Sequence, residues 1–359
     1  MKKNALVSII IVNWNGGEIF KECLKSLKKI TYSNWELIIV DNGSTDGSDT
    51  YHNAVKLPAK RVLTIRNKEN VGFAPANNQA VKKAKGSYVL LLNNDTRVTP
   101  LFLSKLVQRM DTDLSIGVIQ PKIYMMDPPA DGQATPSPKK TKNLRSVRYL
   151  DNAGSFMTWT GFLEHWGFGE KDSKEFDSER EVFSCKGACM LTRMGLIKKI
   201  GLFDDTFVSY FEESDYCWRV WLVGSKVLFY PDAHIYHKVG FTIKRLDVTK
   251  INFDYYKNRI SSLIKNLGFA NVLFIVPIHI VFSIGIACVF IVRGQSKGAM
   301  MIFKAIKWNV VHIKSLLVKR KEIQNLRIVS DHVIFTELMH SANIIKFFGA
   351  FERVEKDMR

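Results

Sequence analysis

The stretch ALVSIIIV, residues Ala5 to Val12, is a near-continuous β-branched run, the pattern of a strand covered on both faces. Three more runs follow: WELIIV (Trp35 to Val40), RVLTI (Arg61 to Ile65) and SYVLLL (Ser87 to Leu92). Helical spacing separates them, first over Glu18 to Lys29 with Ile19, Cys23, Leu24 and Leu27 on one face, then near Asp46 to Val55 and Pro75 to Ala84. Alternation of this kind predicts an α/β fold on a mostly parallel central sheet. Ligands of such sheets bind beyond the carboxyl ends of the strands, so polar residues just past those ends are the first candidates.

At 359 residues the chain can form one large domain or two modest ones, and 46% apolar residues exclude a disordered chain. Lys and Arg number 52 against 34 Asp and Glu, a net charge of +18. Such an excess invites nucleic acid, but the basic residues gather near an apolar segment, so membrane phospholipid explains it with fewer assumptions. Cys23, Cys185, Cys189, Cys217 and Cys288 are scattered and imply no disulfide framework. Cys185 and Cys189 fall short of the four ligands of a structural zinc site. The opening MKKNALVSIIIVNWN has too short an apolar run for a secretory signal, so the catalytic part is expected in the cytoplasm.

From Tyr124 to about Leu150 the alternation stops. Pro128, Pro129, Pro136 and Pro138 precede Lys139, Lys140, Lys142, Arg145 and Arg148, which reads as a long basic surface loop (about 124–150). Ordered character is expected again from Val182 to about Tyr236. The segment Phe269 to Val292 then runs 24 residues without Lys, Arg, Asp or Glu. As a helix it is roughly 36 Å long, enough for a hydrocarbon core of about 30 Å. Four basic residues flank it on either side (Lys250, Lys257, Arg259, Lys265; Arg293, Lys297, Lys304, Lys307), so the positive-inside rule assigns no orientation. A segment bent near Pro277 or Gly285 would keep both ends cytoplasmic. An amphipathic helix is expected over about 298–320, with Met301, Ile302, Ala305, Ile306, Val310, Ile313 and Leu317 on its apolar stripe.

Four constellations could carry chemistry. DNGSTDGS (Asp41 to Ser48) follows a strand, with Asp41 placed for a base or ribose and Ser44 for a cap. NKENVGFAPANNQA (Asn67 to Ala80) brings Asn70, Gly72, Phe73 and Asn77 to a loop–helix junction. LLLNNDT ends a strand in Asn93, Asn94 and Asp95, the oxygen donors a divalent cation wants beside a diphosphate. FVSYFEESDYCWR (Phe207 to Arg219) sets Glu212, Glu213 and Asp215 among aromatics, where a carboxyl can be tuned towards a general base. On one helix these three acids do not all face one way.

In this order and spacing, the four motifs resemble those of family 2 glycosyltransferases, with the rhamnosyltransferase-like branch nearest, over roughly residues 5–262. The resemblance implies a GT-A type nucleotide-diphospho-sugar transferase fold and an inverting reaction. It implies a nucleoside-diphosphate sugar donor and a glycan or lipid-linked acceptor, as in cell-surface polysaccharide or glycolipid synthesis. Asn13, Asp41, Asn42, Ser44, Asn70, Gly72, Phe73, Asn77 and Asn94 would line the donor site. Asp95 and His237, the latter from YPDAHIYHKVG, would meet Mg²⁺ or Mn²⁺. Gly187 and GLFDD (Gly201 to Asp205) would wall the acceptor side, and Arg259 in YYKNR precedes the tail. Glu213 stands at the position of the catalytic base, followed by Glu212 and then Asp215. Two positions depart from the family pattern. The metal motif is Asn-Asn-Asp, and the base motif is Glu-Glu where the family has Glu-Asp.

The expected organisation is therefore a GT-A domain over 1–262 and a helical, membrane-associated tail over 263–359, with the catalytic domain on the cytoplasmic face and homo-oligomerisation left open. Rival readings are a nucleotidyltransferase and a nucleotide-sugar-binding membrane protein without transfer. A dinucleotide oxidoreductase wants Gly-x-Gly-x-x-Gly after the first strand, where NWNGGE stands.

Overall fold

β1 (Val7–Asn13), α1 (Gly17–Leu27), β2 (Trp35–Asp41), α2 (Tyr51–Ala54), β3 (Val62–Arg66), α3 (Phe73–Val81) and β4 (Tyr88–Leu92) form the first half of a computed structural model that describes residues 4–127, 147–241 and 248–340. β1 pairs in parallel with β2 and β4, and β2 with β3. All of β1 except Val12 is buried, which is why its sequence does not alternate. Glu36 sits inside this sheet because it is fully engaged. Ser8 Oγ and the Lys85 N–H donate to its Oε1 at 2.6 and 2.7 Å, and Arg61 Nε to Oε2 at 2.8 Å. The helix expected over Asp46 to Val55 is a 3₁₀ turn plus the single turn α2. There the Asp46 carboxylate takes the Ser48 N–H and hydroxyl and holds the chain in a local turn.

β5 (Thr96–Val98), α4 (Phe102–Thr112), β6 (Ile116–Met125), β7 (Leu150–Asn152), β8 (Ser155–Thr158), β9 (Leu163–His165), β10 (Arg180–Glu181), β11 (Cys189–Arg193), α5 (Met194–Ile200), α6 (Glu212–Leu222) and β12 (Lys226–His237) follow. The main sheet runs β10-β12-β6-β11-β4-β1-β2-β3, with β5 on β12 and β7 on β6. It is mixed, not mostly parallel. β11 is antiparallel to both β4 and β6. Among the described residues 147–188 there is no α-helix to make the crossover a parallel neighbour needs, so β11 enters from the opposite end. Order resumes well before Val182, in β7 to β9. Residues 128–146, with most of the expected basic loop, lie outside the described residues.

α7 (Val248–Asn266), α8 (Phe269–Val292), α9 (Ser296–Val311), α10 (Ile313–Leu326), α11 (Asp331–Leu338) and β13 (Met339–His340) complete the described chain, β13 joining β8 and β9 in a small second sheet. The boundary expected at 262–263 falls inside α7. Leu263, Leu267, Ile275 and Ile334 share a core with Met157, Phe211 and Trp218, so the tail and the sheet-bearing half pack as one. α8 is one uninterrupted helix through Pro277 and Gly285, with no reversal at either. The amphipathic segment divides into α9 and α10 at His312. Its buried face is Ala299, Ile302, Ala305 and Asn309 on α9 and Leu316 on α10, whereas Val310, Ile313 and Leu317 of the expected stripe are exposed. α10 returns to α7 and the loop holding Asp204. Lys319 pairs with Asp204, and Arg320 Nη1 donates to the Ile264 and Leu267 carbonyls at 2.6 and 2.5 Å.

Candidate active site

Sheet pairing assembles the first corner of the site. β4 ends at Leu92, and Asn93 to Asp95 turn the chain into β5, which pairs with the end of β12 so that His237 lies opposite Thr96. His237 Nε2 is thereby 3.1 Å from Asp95 Oδ1, and its Nδ1 is 2.8 Å from Asp151 Oδ2. Lys186 Nζ donates to Asp151 Oδ1 at 2.5 Å. Burial works against a charged imidazole, but the Asp95 and Asp151 carboxylates outweigh it and push His237 up to about 9. Burial likewise opposes the Asp151 carboxylate, yet Lys186 and His237 hold it far below the usual range. Asp95 Oδ1 is buried and accepts no well-formed hydrogen bond. Among the described residues no three His, Cys, Asp or Glu side chains form a ready metal cage, so a divalent cation here would rest on Asp95, be joined by His237 only once the ring gives up its Nε2 proton, and be completed by phosphate and water. The expected metal residues are thus brought together, and Asp151 and Lys186 join them.

The donor-side residues are mostly a frame. Asn13 Nδ2 donates to Asp41 Oδ1, Ser44 Oγ and Ser48 Oγ at 3.2, 3.1 and 2.9 Å, and Asn94 Nδ2 donates to Asn13 Oδ1 at 3.0 Å. Asn42 Nδ2 donates to Asn70 Oδ1 and the Gly72 carbonyl at 2.9 and 3.1 Å. Asn13, Asp41, Asn42 and Asn94 are all buried, whereas Ser44 and Phe73 are half-buried and Asn70 is exposed. Gly72 and Asn77 also serve packing. Gly72, at φ +96°, admits no side chain, because a Cβ there would lie 2.6 Å from the Val208 carbonyl oxygen. Asn77 is buried and donates to the Phe73 carbonyl at 2.9 Å, one turn back on its own helix.

The acidic motif opens α6 after a strained turn. Tyr210 and Phe211 both have positive φ, 69° and 73°, in side chains that rarely tolerate it. Asn258 of α7 holds the turn, donating from Nδ2 to the Ser209 and Tyr210 carbonyls at 2.9 and 2.7 Å. Glu213 then faces Gly187 and Phe73. A Cβ on Gly187 would stand 3.7 Å from both Glu213 Oε1 and Phe73 Cε1. Burial pushes the Glu213 carboxyl up, against the Gly187 N–H and Lys186. Glu212 is raised further, by burial and then by the Glu213 charge. Asp215 points the other way. It is fully buried and accepts from Ser262, Asn266 and Arg219 at 2.7, 3.0 and 3.0 Å, with Lys265 at 3.2 Å. Lys265 and Arg219 outweigh burial and hold it low, so its carboxylate is spent on packing α6 to α7.

Lys186 and Gly187 join the two halves, one residue bonded to the His237 partner and the next touching the candidate base. Asp151 carried no readable signal, being a lone acid in YLDNAG with no motif spacing, and Asn258 lay in a stretch read only as the approach to the tail.

The family model described as Glycosyl transferase family 2 matches residues 8–201, more than half of the chain. The chain belongs to glycosyl transferase family 2. It is 34% identical over 115 residues to the glycosyltransferase GlyG of Streptococcus pneumoniae serotype 4 (31% of this chain, 38% of GlyG). It is 36% identical over 108 residues to the Escherichia coli UDP-Glc:alpha-D-GlcNAc-diphosphoundecaprenol beta-1,3-glucosyltransferase WfaP (30% and 42%). It is also 36% identical over 104 residues to the putative colanic acid biosynthesis glycosyl transferase WcaA of E. coli K12 (29% and 37%). The matches therefore span about two-fifths of these relatives' own lengths. Among solved structures, GalNAc-T7 with UDP, GalNAc and Mn²⁺ aligns at TM-score 0.56 and 17% identity, over 74% of this chain and 48% of that one. S. aureus TarS 1–349 with UDP-GlcNAc aligns at 0.53 and 15%, over 89% and 88%. Identities this low show the fold, which is GT-A.

Proposed function

We propose that this family member is an inverting glycosyltransferase that moves a sugar from a nucleoside-diphosphate sugar to a hydroxyl of a glycan or lipid-linked acceptor. The observation that carries the reading is Glu213, a carboxyl with a raised pKa on a strained, braced turn, linked through Lys186–Gly187 to the Asp95–His237–Asp151 corner. Glu213 takes the acceptor hydroxyl proton as that oxygen attacks the anomeric carbon, and the diphosphate leaves from the opposite face. Burial keeps the Glu213 pKa high, and Glu212 beside it is raised further by its own burial and the Glu213 charge. Asp95 and His237 would hold Mg²⁺ or Mn²⁺, which supplies positive charge for the departing diphosphate. Asp151 fixes the imidazole so that Nε2 faces Asp95. Asp41, Asn13 and Asn94 shape the nucleotide pocket from behind, while Ser44, Asn70 and Phe73 present surface to it. A binding protein without transfer would leave the strained Tyr210–Phe211 turn without a use.

The acceptor in the name of WfaP, a diphosphoundecaprenol-linked sugar, and the polysaccharide setting of WcaA support a lipid-linked acceptor in cell-surface polysaccharide synthesis. The rhamnosyltransferase-like motif order supports hexosyl or deoxyhexosyl transfer. Attachment to the cytoplasmic face of the membrane belongs to the same proposal. α8 is apolar throughout, yet only 33% of its most apolar window is buried, leaving Phe269, Leu273, Phe274, Val281 and Val292 exposed. Lys297, Lys304, Lys307 and Lys314 stand exposed on the two helices that follow. Because α10 returns to Asp204 and α7, both ends of α8 stay on the catalytic side. That supports a helix lying in the headgroup interface rather than one that spans. A panel of nucleotide sugars tests the activity. We expect Mn²⁺- or Mg²⁺-dependent release of nucleoside diphosphate from one of them, and at least about 100-fold less in Asp95→Ala, roughly 2.7 kcal/mol of barrier. Release indifferent to both the metal and Asp95 would refute the site.

A further inference from the structure

Arg259 of α7 is fully buried, and none of its three guanidinium nitrogens meets an acceptor among the described residues. Its neighbours are rings: Tyr255, Phe162, Phe211 and Tyr256, with centroids 3.8, 4.5, 5.5 and 6.0 Å away. Ring faces attract a cation but accept no strong hydrogen bond. A guanidinium does not shed its proton, and a buried ion without a counter-charge costs several kcal/mol. Other buried cations nearby are all paired. Arg219 and Lys265 bond Asp215, and Lys257 lies 3.1 Å from Asp254. Arg259 is the exception, and its charge calls for an anion from outside the chain.

Its place says which anion. Phe211 on one side immediately precedes Glu212 and Glu213. On the other, the Phe162 ring lies 4.5 Å from the imidazole of His279 on α8, whose Nδ1 is 2.8 Å from the Thr160 carbonyl oxygen. The guanidinium thus stands between the candidate base and the apolar helix, under Tyr255, which is only half-buried and whose rotation would uncover it. We propose that Arg259 binds the phosphate group of a lipid-linked acceptor, whose apolar chain lies along the exposed face of α8 while its sugar hydroxyl reaches Glu213. This rests on the acceptor reading above. The planar fork of Arg suits two phosphate oxygens at once.

The test titrates farnesyl phosphate, with farnesol as the phosphate-free control, into the full-length protein in detergent and EDTA. Wild type should prefer the phosphate, Arg259→Met should lose at least tenfold of that preference, and Arg259→Lys, which keeps the charge but not the fork, should fall between the two. Arg259→Met should also melt at the same temperature as wild type or above it, because an apolar side chain replaces an unpaired ion. A lower melting temperature would mean that the guanidinium only holds the rings together, which overturns the proposal. So would equal affinity of wild type and Arg259→Met for farnesyl phosphate. A matched loss of sedimentation with phosphatidylglycerol vesicles would assign Arg259 to bulk headgroups and overturn it too. No donor, metal or turnover enters these measurements, so failure of the transferase reading would show separately, as absent nucleoside diphosphate release.

Discussion

His237 Nδ1 lies 2.8 Å from Asp151 Oδ2, so a carboxylate from β7 sets the orientation of an imidazole whose other nitrogen faces Asp95. Partners of this kind are worth about 10- to 100-fold in metal affinity. Asp151→Asn should therefore weaken Mn²⁺ binding in that range, read by calorimetry, and lower transfer in step. Unchanged Mn²⁺ affinity would reduce Asp151 to a packing residue.

Glu213→Gln should cut single-turnover transfer by about 10²- to 10⁴-fold while donor Kd stays within a few-fold, because the amide keeps size and hydrogen bonds but takes no proton. Glu212→Gln should be milder. Transfer kept in Glu213→Gln and lost in Glu212→Gln would move the base back by one residue. Loss of donor binding in both would mean that these acids only build the pocket.

Glu212 gives a pH signature in stability. Its folded carboxyl is raised well above the ordinary value by burial and the Glu213 charge. Between the unfolded and folded pKa values the native state holds the proton and the unfolded chain does not, so stability falls as pH rises through that window. Glu212→Gln removes this loss. The melting temperature of the variant should match wild type near pH 4 and exceed it increasingly towards pH 8. A constant difference across that range would contradict the assignment.

Membrane attachment should depend on charge and on apolar surface separately. Near an anionic membrane each Lys contributes about 1 kcal/mol. Reversing Lys304, Lys307 and Lys314 to Glu should abolish flotation with phosphatidylglycerol vesicles at low salt. Phe274→Asp with Val281→Asp should abolish it even where the lysines remain. Flotation that survives both changes would place the contact elsewhere on the molecule.

Much of this molecule was legible in the chain because its causes are local. Four apolar runs marked β1 to β4; β1, β2 and β4 are buried on both faces and so do not alternate, whereas β3 is the half-exposed edge strand. Asp95 and Glu213 were readable because each follows a recognisable element within a few residues, at the strand end or helix start where such groups are useful. The family followed from motif order alone. Other features depended on residues far apart in sequence. Nothing in the run CMLTR told its direction, and β11 proved antiparallel, with no crossover helix before it among the described residues 147–188. Asp151 reaches His237 only because β7 pairs with β6 and β6 with β12, and no spacing encodes that register. Asp215 ranked last of the three acids as a base, and helical rotation turns it towards Ser262, Lys265 and Asn266 on α7. The apolar segment passed every length test for a span. What argues against one is the ion pair of Lys319 with Asp204, 115 positions apart, which draws α10 back to the sheet-bearing half. Hydropathy is a property of a segment, whereas the side on which its ends lie is decided by what those ends pack against.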